Sequence, residues 1–255
     1  MIKHFLFITV CAFIGMLSQA YGTCPPTDHQ TESSAVRNTL YYNYSRLQDS
    51  GQAFEQQNLC DDFNLPFLRT NWHSNSSNLL WTLKERPGYL RLKSKSGETG
   101  QGIERNTFSK TIRLDFDAEV VSLIDLSNMK TNDQTGLYLQ AEKFNALRLE
   151  HIGRFKYITA EISNNRYNSI QIEGNQIVLK LRLESGKAWF EYSTDGLDFL
   201  KVGQTFVVNH MNLTQQGHVG LFCTNSSDIG GSVDVDWFYF KQEESTIQYS
   251  EVINK

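Results

Sequence analysis

The chain has 255 residues, of which 40% are hydrophobic and 20% charged, with a formal net charge of -4 and a mean hydropathy of -0.42. That supplies enough apolar material for one large core and excludes a polytopic membrane protein. No basic block of the kind that tracks phosphates is present, so nucleic acid is not an expected partner.

Residues 1–22 read as an export leader: Lys3 is the positive start, Phe5–Leu17 the apolar stretch, and Ala20-Tyr21-Gly22 a small-x-small cleavage site. The apolar stretch is too short to span a bilayer, so no membrane span is expected and the expected location is secreted or extracytoplasmic. Tyr21-Gly22-Thr23 does not make a lipobox, so a lipid anchor on Cys24 is not expected. Loss of Cys11 with the leader leaves Cys24, Cys60 and Cys223, an odd number for an oxidising compartment. Cys223 lies in phase with Val219 and Leu221, which predicts a buried strand position. Cys24–Cys60 is then the expected disulfide, with Cys60–Cys223 as the alternative.

Residues 23–53 form an N-terminal extension. Pro25-Pro26 marks a linker, and the spacing of Val36, Leu40, Tyr44 and Leu47 predicts a short helix capped by Ser33 or Ser34. Residues 54–245 are expected to form one β-sandwich, and 246–255 a tail. Within 54–245, Tyr89–Lys93, Thr111–Phe116, Gly136–Glu150, Ile177–Glu184, Ala188–Ser193, Val219–Cys223 and Val233–Phe240 read as strands. Aromatic residues, 12% of the chain, favour the same state. Turn signals separate these runs: Ser96-Gly97, Asn164-Asn165, Glu173-Gly174-Asn175, Ser185-Gly186, Asp195-Gly196 and Gly230-Gly231. The fold class is therefore all-β, a sandwich or barrel with one wet face per sheet.

Alternation assigns the faces. Leu137, Leu139, Leu147 and Leu149 point to the core, while Tyr138, Gln140, Arg148 and Glu150 point out, as do Arg113, Asp115, Lys180, Arg182 and Glu184. On one sheet, these would make a polar face with aromatic insertions. Such a face suits a polysaccharide or oligosaccharide, whose hydroxyls take Arg, Gln and carboxylates and whose C–H faces stack on rings. Tyr138, Gln140, Arg148 and Glu150 are the candidate carbohydrate-binding residues, and an ordinary solvated sheet face is the competing reading.

Several segments recur together in one order. They are Cys60-Asp61-Asp62-Phe63-Asn64, Leu68–Trp72, Trp81-Thr82-Leu83, Arg86–Leu92, Arg105-Asn106, Leu114-Asp115-Phe116, Gln134–Tyr138, Tyr192–Gly196, Val219–Phe222 and Asp236–Tyr239. The series resembles the concanavalin A-like module at the C-terminus of β-xylosidases of glycoside hydrolase family 43, over roughly residues 55–242. The resemblance implies a two-sheet antiparallel jelly roll. In those xylosidases catalysis belongs to a separate five-bladed propeller, against which the sandwich packs to help close the substrate pocket. The sequence ahead of the module has no room for a propeller, so the expectation is a non-catalytic module. It would bind a xylan- or arabinan-like glycan or serve a separate catalytic chain.

Two other readings stand beside it. A glycan-active enzyme would need paired carboxylates or a lyase base. Asp234-x-Asp236 comes closest to the first, and Tyr138, Gln140, Arg148 and His151 to the second. A structural surface protein would use the sandwich for protein contacts alone. Trp72, Trp81 and Trp237 are expected in the core, and no cofactor is expected beyond a structural calcium. Asp61, Asp62 and Asp236 are the candidate calcium ligands, with hydrogen bonds to turns as the competing reading.

Overall fold

The structure is a computed structural model that describes residues 59–69, 71–75, 80–96, 106–208, 216–226 and 230–243. The leader, the extension with its expected helix, and the tail lie outside the described residues. Among the described residues every regular element is a strand.

In chain order the strands are β1 (Leu59–Asp61), β2 (His73–Ser74), β3 (Trp81–Thr82), β4 (Leu90–Lys93), β5 (Lys95–Ser96), β6 (Asn106–Arg113), β7 (Asp117–Asp125) and β8 (Asp133–Gln140). They continue with β9 (Phe144–Ile152), β10 (Phe155–Ile162), β11 (Asn165–Ile172), β12 (Gln176–Glu184), β13 (Lys187–Ser193), β14 (Leu200–Val207), β15 (Gln216–Asn225) and β16 (Ser232–Glu243). One sheet runs β14-β13-β12-β7-β16-β4-β3, with β1 also on β16. The other runs β11-β10-β9-β8-β15-β6-β2, with the short β5 parallel to β15. The remaining ladders are antiparallel, and the result is the two-sheet jelly-roll sandwich expected from the resemblance.

The core lies between the sheets, where Leu137, Leu139, Leu147 and Leu149 of one meet Leu179, Leu181 and Leu183 of the other, all sealed from solvent. Each such leucine contributes about 1.5–3 kcal/mol by leaving water. Ser185-Gly186 supplies two successive positive φ values, 50° and 73°, the primed turn that joins β12 to β13 without splaying them. Trp72 and Trp81 pack against the core, as expected.

Trp237 is also buried, but on the outer face of its sheet, with Val121, Leu123 and Val178. Cys60 packs on that same outer cluster, whereas Cys223 is a free thiol in the inter-sheet core. The alternative bridge Cys60–Cys223 is therefore not made, because the two residues lie on opposite sides of a sheet. Cys24 lies outside the described residues.

Candidate functional site

Tyr138, Gln140, Arg148 and Glu150 share the outer face of the sheet containing β8 and β9, as the alternation predicts. Lys180, Arg182 and Glu184 do not join them, because β12 belongs to the other sheet. Alternation gives each strand's faces but not its sheet.

The face is itself packed. Tyr138 stacks on Phe144 at 5.0 Å, and Phe222 from β15 meets both rings edge-on at 6.5 and 5.8 Å. Gly220 and Gly136 lie across the strand from Tyr138 and Phe222. Burial pushes the Tyr138 hydroxyl above its ordinary pKa, although hydrogen bonds with Ser109 and Thr107 oppose this. Arg148 lies 5.3 Å over the Phe222 ring, donates to Gln134 Oε1 at 2.8 Å and pairs with Glu161. Arg166 on β11 reaches Glu150 at 3.2 Å. Tyr138, Arg148 and Glu150 are thus only 3%, 2% and 6% exposed. The expectation of four open ligand-binding side chains is met by Gln140 alone; the others are engaged with one another's neighbours.

The open part of this face is a row of which sequence reasoning finds Gln140 alone: Thr111, His218 and Gln140 are successive cross-strand partners, all exposed, with half-buried Phe144 next to Gln140. Such a row can offer hydroxyl, imidazole and amide groups to a sugar over an aromatic floor. Only the pairing of β6, β15 and β8 reveals it. The lyase set fails to assemble, since His151 lies on the face opposite Arg148 and donates through Nδ1 to the Met129 carbonyl at 3.2 Å.

The other outer face holds the paired carboxylates. Asp234 and Asp125 are cross-strand partners on β16 and β7. Arg86 Nη1 lies 2.8 Å from an oxygen of each, and Arg91 grips Asp234 through two bonds of 2.7 and 2.9 Å. Asn128 adds a bond to Asp234 at 3.2 Å. Asp234 is 0% exposed. Burial opposes its ionisation, but the Arg91 and Arg86 guanidinia outweigh it and hold the carboxyl below its ordinary value of 3.8. Arg86 also lies 3.7 Å over the Tyr89 ring, so the Arg86–Tyr89 segment ties β3 and β4 to β7 and β16. Asp236, the other member of the Asp-x-Asp pair, is buried beside a register shift in β16.

Asp61 accepts from the Phe63 amide at 3.1 Å and the Trp72 indole at 2.8 Å, and Asp62 accepts from the Asn64 amide at 3.4 Å and lies 3.7 Å from Arg69. Among the described residues no three or more His, Cys, Asp or Glu side chains converge as metal ligands, so Asp61, Asp62 and Asp236 are not brought together as a three-carboxylate group. The competing reading, hydrogen bonds to turns, describes the first two. Asp133, fully buried, is likewise filled by the amides of Lys130 and Gly231 and by Asn225. That last contact leaves Asn225, in an Asn-Ser-Ser sequon, no surface from which to carry a glycan in the folded chain.

Residues 60–241 match the family model of the beta-xylosidase C-terminal concanavalin A-like domain. A beta-xylosidase of Formosa agariphila is 30% identical over 204 residues, which cover 71% of this chain and 34% of that protein. A bifunctional GH43-CE protein of Bacteroides eggerthii superposes with a TM-score of 0.62 at 25% identity, covering 73% of this chain and 26% of that one. Lectin I of Ulex europaeus, solved with a methyl glycoside of α-L-fucose, superposes at 0.50 with 14% identity over 74% of this chain and 98% of its own, a likeness of fold alone. The chain thus spans about a third of its curated relative and about a quarter of the first solved one.

Proposed function

This chain belongs to the family of concanavalin A-like C-terminal domains of beta-xylosidases, and from that membership we propose that it is an exported, non-catalytic module that binds carbohydrate or supports a glycan-degrading partner. The observation that carries the non-catalytic part is the state of the Asp125–Asp234 pair. A glycosidase needs one carboxyl kept protonated as an acid and a second free to act on the sugar or a water. Here Asp234 is sealed from solvent, bound by two arginines and held ionised. It has neither the proton to give nor the access to give it.

Binding is assigned to the outer face of the sheet containing β8, with Gln140 and its row as the contact groups and the Tyr138–Phe144–Phe222 cluster as the floor beneath them. The proposed ligand is a xylan- or arabinan-like chain; the beta-xylosidase relative supports the xylan-like class. The Cys24–Cys60 bridge belongs to the same proposal, since the free, buried state of Cys223 supports it. A glycan array paired with a reducing-sugar assay tests the reading. Retention without release of reducing ends is the expected result. Release of reducing ends would make the chain an enzyme, and no retention on any glycan would leave a protein-contact role.

A further inference from the structure

Two histidines on the outer face of the same sheet stand apart from its packed cluster. His73 on β2 and His218 on β15 are exposed, and their ring centroids lie 6.0 Å apart with planes at 80°. The two strands flank β6: His73 pairs with Ser109 and His218 with Thr111. Their backbones are two strand spacings apart, about 9.5 Å. The rings therefore lean toward each other over Thr111, whose Oγ1 lies 3.4 Å from His73 Nε2. Gln140 is the cross-strand partner of His218 on its other side, and it too is exposed. Among the described residues neither imidazole has a carboxylate within ion-pair distance, and the Gln140 amide makes no side-chain hydrogen bond.

The separation can be compared with what a shared metal ion requires. A zinc–nitrogen bond of about 2.0–2.1 Å, plus about 1.1 Å from nitrogen to ring centre, puts a metal about 3.2 Å from each centroid. At the tetrahedral angle zinc prefers, two such rings lie about 5.2 Å apart, and they reach about 6.4 Å only with the metal in line between them. The observed 6.0 Å exceeds the tetrahedral value by less than about 1 Å, a gap that small rotations of the two exposed side chains close. Imidazole nitrogen selects zinc, copper or nickel over calcium, which wants an oxygen cage. We propose that His73 and His218 together form a site for a divalent transition metal ion, zinc in the first instance. Water completes its coordination. Two protein nitrogens leave positions open on the solvent side, so the ion is held exchangeably and not as a structural centre. The site shares His218 with the row assigned to glycan but does not rest on that reading, and zinc binding is read in the absence of sugar.

Isothermal titration of the purified, untagged chain with zinc chloride tests this. The expected result is one zinc per chain, weakened about tenfold or more in His73→Ala and in His218→Ala, while His151→Ala binds as the wild type does. All three side chains are at least partly exposed, and far-ultraviolet circular dichroism verifies that each variant is folded. As a second readout, zinc raises the thermal midpoint of the wild type, reversibly with a chelator, but not that of the double variant His73→Ala/His218→Ala. Absence of zinc binding up to millimolar concentration overturns the proposal, as does binding that survives in the double variant.

Discussion

Asp234 shows how one residue's meaning depends on its partners. A buried carboxylate stripped of a partner leaves an uncompensated charge, so Arg91→Ala should cost about 3 kcal/mol or more at neutral pH. The pH dependence follows from the lowered carboxyl of Asp234. A carboxyl more acidic in the folded than in the unfolded chain contributes its full stability above the unfolded value, near 3.8, and loses it as pH falls through the folded value. The gap between wild type and Arg91→Ala in urea midpoints should therefore be constant from pH 5 to 8 and shrink below about pH 4. A gap that widens in acid would contradict the pairing. Cys223 offers a second residue-scale test. Burial pushes its thiol up to about 12, so a thiol reagent at pH 8 should label none of the native, leader-free chain. Denatured without reductant, that chain should show one reactive thiol, whereas three would rule out the Cys24–Cys60 bridge.

Among the strands, the alternation read from sequence places side chains correctly where each strand is judged by itself. Leu181→Ala should cost about 2–5 kcal/mol, as for a fully buried leucine. Arg182→Ala, whose ion pairs with Glu119, Glu184 and Glu191 are partly solvent-exposed, should cost about 1 kcal/mol or less in the same denaturation series. What alternation could not supply is the company each strand keeps. Alternation groups Lys180 with Arg148, yet β12 and β9 lie in different sheets and Lys180 is buried under Phe199, with its nitrogen 3.3 Å from the ring centroid. Arg148 reads as open because it is charged and faces outward, but Glu161, Gln134 and Phe222 arrive from three other strands. Strand pairing also explains a glycine. A Cβ on Gly220, between β6 and β8, would lie 2.0 Å from the Phe108 carbonyl oxygen. Gly220→Ala should therefore cost about 3 kcal/mol or more, because two central strands must part. Gly174→Ala, at a φ of 80° with open space around it, should cost only the left-handed backbone term of about 1–2 kcal/mol. Equal midpoints for the two would show that β15 is less tightly paired than described.

For the whole molecule, the order of short motifs from Cys60 to Tyr239 made the sandwich legible, since they fall on strands and turns spread over both sheets. Its outer faces were less legible. Polar residues facing outward can lie open to ligand or knit strands together, and only cross-strand distances separate the two. The faces of this molecule do both: the Asp125–Asp234–Arg86–Arg91 group knits one sheet, and the Thr111–His218–Gln140 row lies open on the other. The central claim is that this sandwich holds glycan without cutting it. Time-resolved proton NMR of xylo- and arabino-oligosaccharides mixed with the purified chain addresses both halves in one experiment. The account predicts broadened sugar signals, restored toward those of the free sugar in a Gln140→Ala variant, and no new reducing-end anomeric signals over a day. Growth of such signals, abolished in Asp234→Asn, would contradict it, as would sugar spectra unchanged by the protein.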